Sequence, residues 1–241
     1  IYVIVYKKHI QGQLNKMEIK PIATIKNDYD SKFAVPRQSG IADKIMSQIV
    51  FENEFADENA IRGIDGFSHL WLIWGFSKNI KNKQNLTVRP PRLGGNERVG
   101  VFASRSPFRP NNLGLSSVRL EKIEHNGGKP ILIVSGADLI NGTPIYDIKP
   151  YVAYTDSHAD AVCGFVDKTE FSTLNVKFAE GTLIKIAPQK AEVLKEILSN
   201  DPRPAYDRES ERIYGFKFAH REIKFKVVGK ELTVVSIENE R

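Results

Sequence analysis

At 241 residues, with 41% apolar and 27% charged side chains, the chain has the make-up of a folded protein with a sizeable core, which excludes disorder. Its single cysteine, Cys163, excludes an internal disulfide and fits a reducing compartment. A net charge of +6 favours a polyanionic partner but leaves the fold open.

The opening Ile1–Tyr6 is apolar but too short to span a bilayer, and it lacks the order of a signal peptide. Met17 reads as a natural start, so residues 1–16 are expected to be an extension. With no transmembrane stretch elsewhere, a cytoplasmic protein without a membrane partner is expected. Ile19–Ile25 reads as a short strand, followed by a polar turn at Asn27, Asp28 and Tyr29. Phe33–Gly40 (FAVPRQSG) is a loop, because Pro36 and Gly40 interrupt any regular pattern. Ile41–Phe51 fits a helix or a strand, and its periodicity leaves both open. Phe67–Phe76 is a nearly continuous apolar run of strand length, expected to be buried on both faces.

Thr87–Glu97 is a Pro/Gly loop, Val99–Ala103 a strand, and Phe108–Gly114 a turn. Ser116–Ile123 alternates, with Val118 and Leu120 on one face and Arg119 and Glu121 on the other. Ile131–Leu139 reads as a further strand, closed by the turn signal Asn141-Gly142 with Pro144 close behind. Many short strands with irregular connections predict a mixed or antiparallel barrel-like sheet rather than βα units. From about residue 170 the pattern changes to a strand at Thr173–Phe178, a helix at Gln189–Ser199 ended by Asp201-Pro202, and three strands over Tyr214–Ala219, Ile223–Val228 and Leu232–Ile237. Gly229-Lys230 is a two-residue hairpin turn. The expected fold is therefore mainly β: a barrel over residues 17–168, then a small C-terminal α+β domain over 169–241.

Six arginines, Arg89, Arg92, Arg98, Arg105, Arg109 and Arg119, fall between Asn85 and Arg119 with one acid, Glu97, and no lysine. Arginine forks bind phosphate or carboxylate in bidentate fashion, and Gly/Pro loops offer backbone N–H groups to the same anion. The alternative is a solvated loop whose arginines pair with acids elsewhere. Three rigid polar loops at strand ends, FAVPRQSG, FASRSPFRPNNLG and GADLINGTPIYDIKPY, point to a ligand cleft. His69 lies in the apolar run and reads as a core histidine; the other histidines show no metal-ligand spacing, so no metal is expected. The glycine fingerprints of dinucleotide and phosphate loops and the serine-hydrolase elbow are absent.

At these loops the chain resembles a known family. FAVPRQSG, FSHLWLIW, TVRPPRLGG, VGVFASRSPFRPNNLGLS, DLINGTPIYDIKPY and DPRPAY are similar, in that order, to the signature blocks of the TrmO family, also called TsaA-like or YaeB. The resemblance runs from about Ile19 to Tyr206. It implies a single-sheeted β-barrel with a small C-terminal domain, a homodimer, and S-adenosyl-L-methionine bound close to the subunit interface. The implied activity is methylation of N6 of threonylcarbamoyladenosine beside the anticodon of threonine tRNA. Carried onto this chain, cofactor contacts fall on Pro36, Arg37, Gln38, His69, Leu70, Arg105, Leu115, Asp138, Leu139, Ile140 and Asn141. Asp201 and Tyr206 are the candidates for substrate contact or proton handling, although Asp201 equally serves as a helix stop. Arg109, Arg203 and Arg208, with Arg212, Lys224 and Lys226, are candidates to track the tRNA backbone. Ser39 and Asn112 depart mildly from the family pattern, and residues beyond Tyr206 match only loosely. Two rival readings stand beside this one: a non-catalytic anion- or nucleic-acid-binding barrel, and a methyltransferase with another substrate.

Overall fold

A computed structural model of the chain describes residues 2–5, 16–33, 35–77, 86–94, 96–169, 173–203 and 212–239. It is mainly β with few helices, as the sequence reading expects. β1 (Tyr2–Val5) pairs antiparallel with β2 (Lys16–Ile19), so part of the segment set aside as an extension forms a ribbon. β3 (Ala23–Lys26) and β4 (Met46–Phe51) follow, which settles the ambiguous segment as a strand. After a short α1 (Glu58–Ile61) come β5 (His69–Gly75) and the two-residue strands β6 (Thr87–Val88) and β7 (Val99–Gly100). β8 (Leu113–Asn126), β9 (Lys129–Ser135) and β10 (Pro144–Pro150) complete the first part, with α2 (Ala153–Asp156) behind them.

Six of these strands close into a ring in the order β10, β3, β4, β9, β8, β5, and every neighbouring pair is antiparallel. Alternation sends one face of each strand inward, where Ile25, Ile49, Leu70, Leu72, Trp74, Val118, Leu132, Val134 and Ile145 form one apolar cluster. β5 departs from the expected burial on both faces: Leu70, Leu72 and Trp74 are buried, whereas His69, Trp71 and Ile73 are half-buried on the outer side. The expected strand Ile19–Ile25 is interrupted at residues 20–22, between β2 and β3, and two further expected strands stop well short of their predicted ends. Val101–Ala103 is a 3-10 turn after β7. β9 stops at Ser135 because Gly136 is left-handed, φ 75°, and passes close to Gly40 and Asp43; a Cβ there would lie 3.1 Å from Asp43 Oδ1.

The second apolar cluster belongs to a four-stranded sheet ordered β11 (Asn175–Phe178), β14 (Glu231–Asn239), β13 (Arg221–Val228), β12 (Tyr214–Phe218). β11 runs parallel to β14, and the other pairs are antiparallel. α3 (Pro188–Ser199) starts on a proline and buries Ala191, Val193, Leu194, Ile197 and Leu198 in the same cluster as Phe216, Phe218, Ile223 and Phe225. The Gly229-Lys230 hairpin is present, with Val228 opposite Glu231. Tyr29 and Ile45, from the connection between β3 and β4, are buried in this second cluster, with Phe33 and Val35 packed against it. That connection thus leaves the ring and lies on the C-terminal sheet and helix.

Candidate functional site

Three connections gather where β9 ends. The first is residues 27–45. The second, residues 101–112, leads into β8. The third, residues 136–143, crosses from β9 to β10. Asn27 organises the third from below. Its side chain donates to the carbonyl of Leu139 (2.9 Å) and to Ser47 Oγ (3.2 Å), and its amide donates to Asn141 Oδ1 (3.3 Å). The amide of Asn141 donates in turn to the carbonyl of Tyr29 (3.0 Å). Asn141 is thereby used to hold the turn. The carbonyl of Ile140 accepts from both the amide and the hydroxyl of Thr143 (3.1 and 2.6 Å). The amides of Leu139 and Ile140 donate to nothing among the described residues, but Leu139 is fully buried, so the Ile140 amide is the donor that remains for an acceptor edge.

Asp138 lies at the centre. Ser116 Oγ donates to Asp138 Oδ1 (2.5 Å) and itself accepts from Trp74 Nε1 (2.9 Å), so the carboxylate stands on a chain rooted in the ring's interior. Burial pushes the Asp138 carboxyl above the ordinary aspartate range, against the lowering pull of the Ser116 hydroxyl, nearby backbone including Ser39, and the charge of Arg105. Arg105 is exposed and donates through Nη1 to Gln38 Oε1 (2.5 Å). Its remaining donors make no hydrogen bond or ion pair among the described residues and suit a carboxylate. Gln38, Arg105, Asp138, Leu139, Ile140 and Asn141 are thus brought together, with Pro36 and Arg37 in the same strap of chain. The raised carboxyl makes a testable prediction. Between the ordinary aspartate value and the folded one, the native state binds more protons than the unfolded chain, so stability falls as pH rises through that window. Asp138→Asn should therefore melt higher than the wild type at neutral pH, the gap closing on acidification; melts that differ equally at every pH would show that the carboxyl is not desolvated.

Other predicted residues lie elsewhere. His69 is on the outer side at the start of β5, with Nδ1 2.9 Å from Ser68 Oγ and its ring 6.1 Å from Tyr151. Leu70 is fully buried in the ring's interior. Leu115 is next to Ser116 in sequence but points outward, 57% exposed, across from Ile73. Among the described residues no hydrogen bond or ion pair joins these three to the Asp138 cluster. Arg109 donates to the carbonyl of Ser104 (3.2 Å) and shapes its own loop.

Beyond α3, Asp201 takes a left-handed backbone, φ 47°. Both its carboxylate oxygens accept from the Arg203 fork, at 2.8 Å from Nε and 3.0 Å from Nη2. Arg203 is only 7% exposed, and its hydrogen bond to Asp201 raises its pKa further. The structure therefore gives Arg203 to Asp201 rather than to open surface, with one guanidinium donor on each Asp201 oxygen. Arg37 Nη2 donates to the carbonyls of Arg203 (2.9 Å) and Asp201 (3.4 Å). Lys224 sits between Glu222 (4.0 Å) and Glu238 (3.8 Å), which offsets its charge. Tyr206 and Arg208 lie outside the described residues.

The sequence reading missed Ser116, Trp74 and Asn27. Ser116 had a signal: it shares the inward parity of Val118, and a hydroxyl on a buried strand face needs a partner. Among the described residues no group of three or more His, Cys, Asp or Glu could hold a metal, and no helix is long and apolar enough to cross a membrane.

Comparison with known proteins matches residues 24–157 to the tRNA-methyltransferase O N-terminal domain and residues 171–240 to the TrmO C-terminal domain. A tRNA (adenine(37)-N6)-methyltransferase of Escherichia coli is 34% identical over 233 residues, covering 93% of this chain and 99% of that protein. A putative S-adenosylmethionine-dependent methyltransferase, RcsF, of Pseudomonas aeruginosa is 40% identical over 206 residues, covering 83% and 87%. The crystal structure of TrmO from Pseudomonas aeruginosa superposes with a TM-score of 0.75 at 28% identity, covering 92% of this chain and 98% of that one.

Proposed function

The chain belongs to the TrmO family, and from that premise we propose that it is an S-adenosylmethionine-dependent methyltransferase acting on adenine 37 of tRNA. The observation that carries the reading within the structure is the convergence of Arg105, Gln38 and Asp138 beside the Ile140 amide, which has no partner among the described residues. These residues fit the cofactor's chemistry. The free donors of Arg105 match its α-carboxylate, the Ile140 amide matches an acceptor nitrogen of an adenine, and the Asp138 carboxyl suits hydroxyl or cationic groups. Bound there, S-adenosylmethionine supplies a methyl group already activated on a sulfonium. The chain's own residues then have two tasks, to align the acceptor and to exclude water around it. The Asp201–Arg203 turn, fixed by its own ion pair, gives the acceptor base a rigid edge to rest against.

The finer reading is that the acceptor is N6 of threonylcarbamoyladenosine in the anticodon loop of threonine tRNA, presented by a single-sheeted barrel. A single-stranded loop can present an unstacked base to a site built from connections. The protein works as a homodimer in the cytoplasm. Phe102, 77% exposed, lies on the connection that carries Arg105, and Leu115 lies just beyond it on β8; they are the side chains a second subunit would cover. Purified protein should convert threonylcarbamoyladenosine to its N6-methyl form in threonine tRNA, read by mass spectrometry of the nucleosides. Equal methylation of tRNA lacking the threonylcarbamoyl group would refute the substrate. Calorimetry with S-adenosylmethionine giving neither heat nor thermal shift would favour a binding module instead.

A further inference from the structure

The β3–β4 connection is held on two sides. Towards the ring, the amide of Gly40 donates to the carbonyl of Gly136 (2.9 Å), Gln38 is held by Arg105, and the Ser39 backbone supports the Asp138 carboxylate. Towards the C-terminal helix, Glu196 of α3 accepts from the amides of Asp43 (3.2 Å) and Lys44 (3.1 Å). One turn further on, Arg37 reaches the carbonyls of Asp201 and Arg203. Adjacent residues thus serve opposite partners: Gln38 belongs to the cluster around Asp138, and Arg37 to the turn after α3.

We infer that Arg37 is a positioning residue that couples the two halves of the site, fixing the Asp201–Arg203 turn relative to the loop that meets the cofactor. The inference rests on the reading that the loop faces the cofactor and the turn faces RNA. Three features support it. Carbonyl oxygens past a helix C-terminus gather negative potential, which a guanidinium satisfies with charge-assisted hydrogen bonds. The turn is rigid in itself, because Asp201 is closed onto a buried Arg203, so a grip on its carbonyls places it as a unit. Arg37 turns its Nη2 to these carbonyls, while Arg105, on the other side of Gln38, is placed to meet a cofactor carboxylate. Filling the cofactor side then stiffens the strap, and the strap stiffens the turn.

The test compares wild type, Arg37→Ala and Arg37→Lys by hydrogen exchange and by binding of S-adenosylhomocysteine and modified threonine tRNA, separately and together. Exchange over residues 198–203 should quicken by about tenfold or more in Arg37→Ala, with residues 129–135 unchanged. Its affinity for S-adenosylhomocysteine alone should stay within about threefold of wild type. In the wild type S-adenosylhomocysteine should tighten tRNA binding by roughly five- to tenfold; Arg37→Ala should abolish that coupling and Arg37→Lys, a point cation, recover part of it. A loss of about tenfold or more in S-adenosylhomocysteine affinity alone would make Arg37 a cofactor ligand and overturn the inference, as would a wild type without coupling. If the wild type bound neither probe, the functional reading would fall, and unchanged exchange at residues 198–203 would still refute the positioning role.

Discussion

Gly114→Ala is expected to destabilise the protein by about 2–4 kcal/mol and to weaken cofactor binding, although Gly114 touches no ligand in the proposed site. Gly114 lies directly across from Trp74 in the β5–β8 ladder. A Cβ there would fall 2.3 Å from Trp74 Cε2 and 2.4 Å from Cζ2. Those are ring atoms of a side chain only 6% exposed, with Phe76 edge-on 4.3 Å away, so the indole has little room to retreat. Any displacement breaks the Trp74–Ser116 hydrogen bond and with it the footing of Asp138. The melting temperature should fall by roughly 5–15 °C. Gly66→Ala is the control, since a Cβ there meets nothing within 4 Å, and it should stay within about 0.5 kcal/mol of wild type. A Gly114→Ala protein that melts with the wild type would show that the indole is not wedged and would cut the proposed link from the ring's interior to the site.

Asp201→Ala is expected to cut turnover by about a hundredfold or more while leaving S-adenosylmethionine affinity within about threefold. The substitution removes the partner of a guanidinium whose side chain is 8% exposed, and an uncompensated buried charge costs about 3–5 kcal/mol. It also puts alanine where the backbone φ is 47°, a conformation that Asp and Asn tolerate better. The turn should therefore open rather than remain in place. Arg203→Met added to Asp201→Ala removes the orphaned charge and should restore much of the stability without restoring turnover. Equal losses of turnover and cofactor affinity in Asp201→Ala would place the turn on the cofactor side. Full recovery of turnover in the double variant would mean that the ion pair, and not the placement of the turn, limits the reaction.

Much of this molecule can be read along the chain, and the failures have physical causes. Val99–Ala103 and Ile131–Leu139 look like uninterrupted strands because their apolar residues continue past the point where pairing stops. β9 ends at Gly136, where Gly40 and Asp43 come close, and that approach is set by a loop nearly a hundred residues earlier. Phe67–Phe76 carries enough apolar residues for two buried faces, yet only one face meets the interior of the ring. Arg203 reads in sequence as a phosphate-seeking arginine near a proline. Whether such a fork is open or taken depends on the left-handed turn at Asp201, which no spacing rule encodes.

The sequence by itself determined the β-rich class, the hairpin at Gly229, the helix that ends before Asp201, and the six blocks that mark the family. Each of these depends on residues close together in the chain, where backbone preference and side-chain parity decide the outcome. Tertiary structure alone decided which arginines are spent and which are free, that Ser116 and Trp74 carry Asp138, and that one connection joins the ring to the C-terminal helix. These are matters of partnership between distant segments. A polar group buried on folding takes whichever partner the closing of the ring brings within about 3 Å, and the order of residues does not fix that in advance.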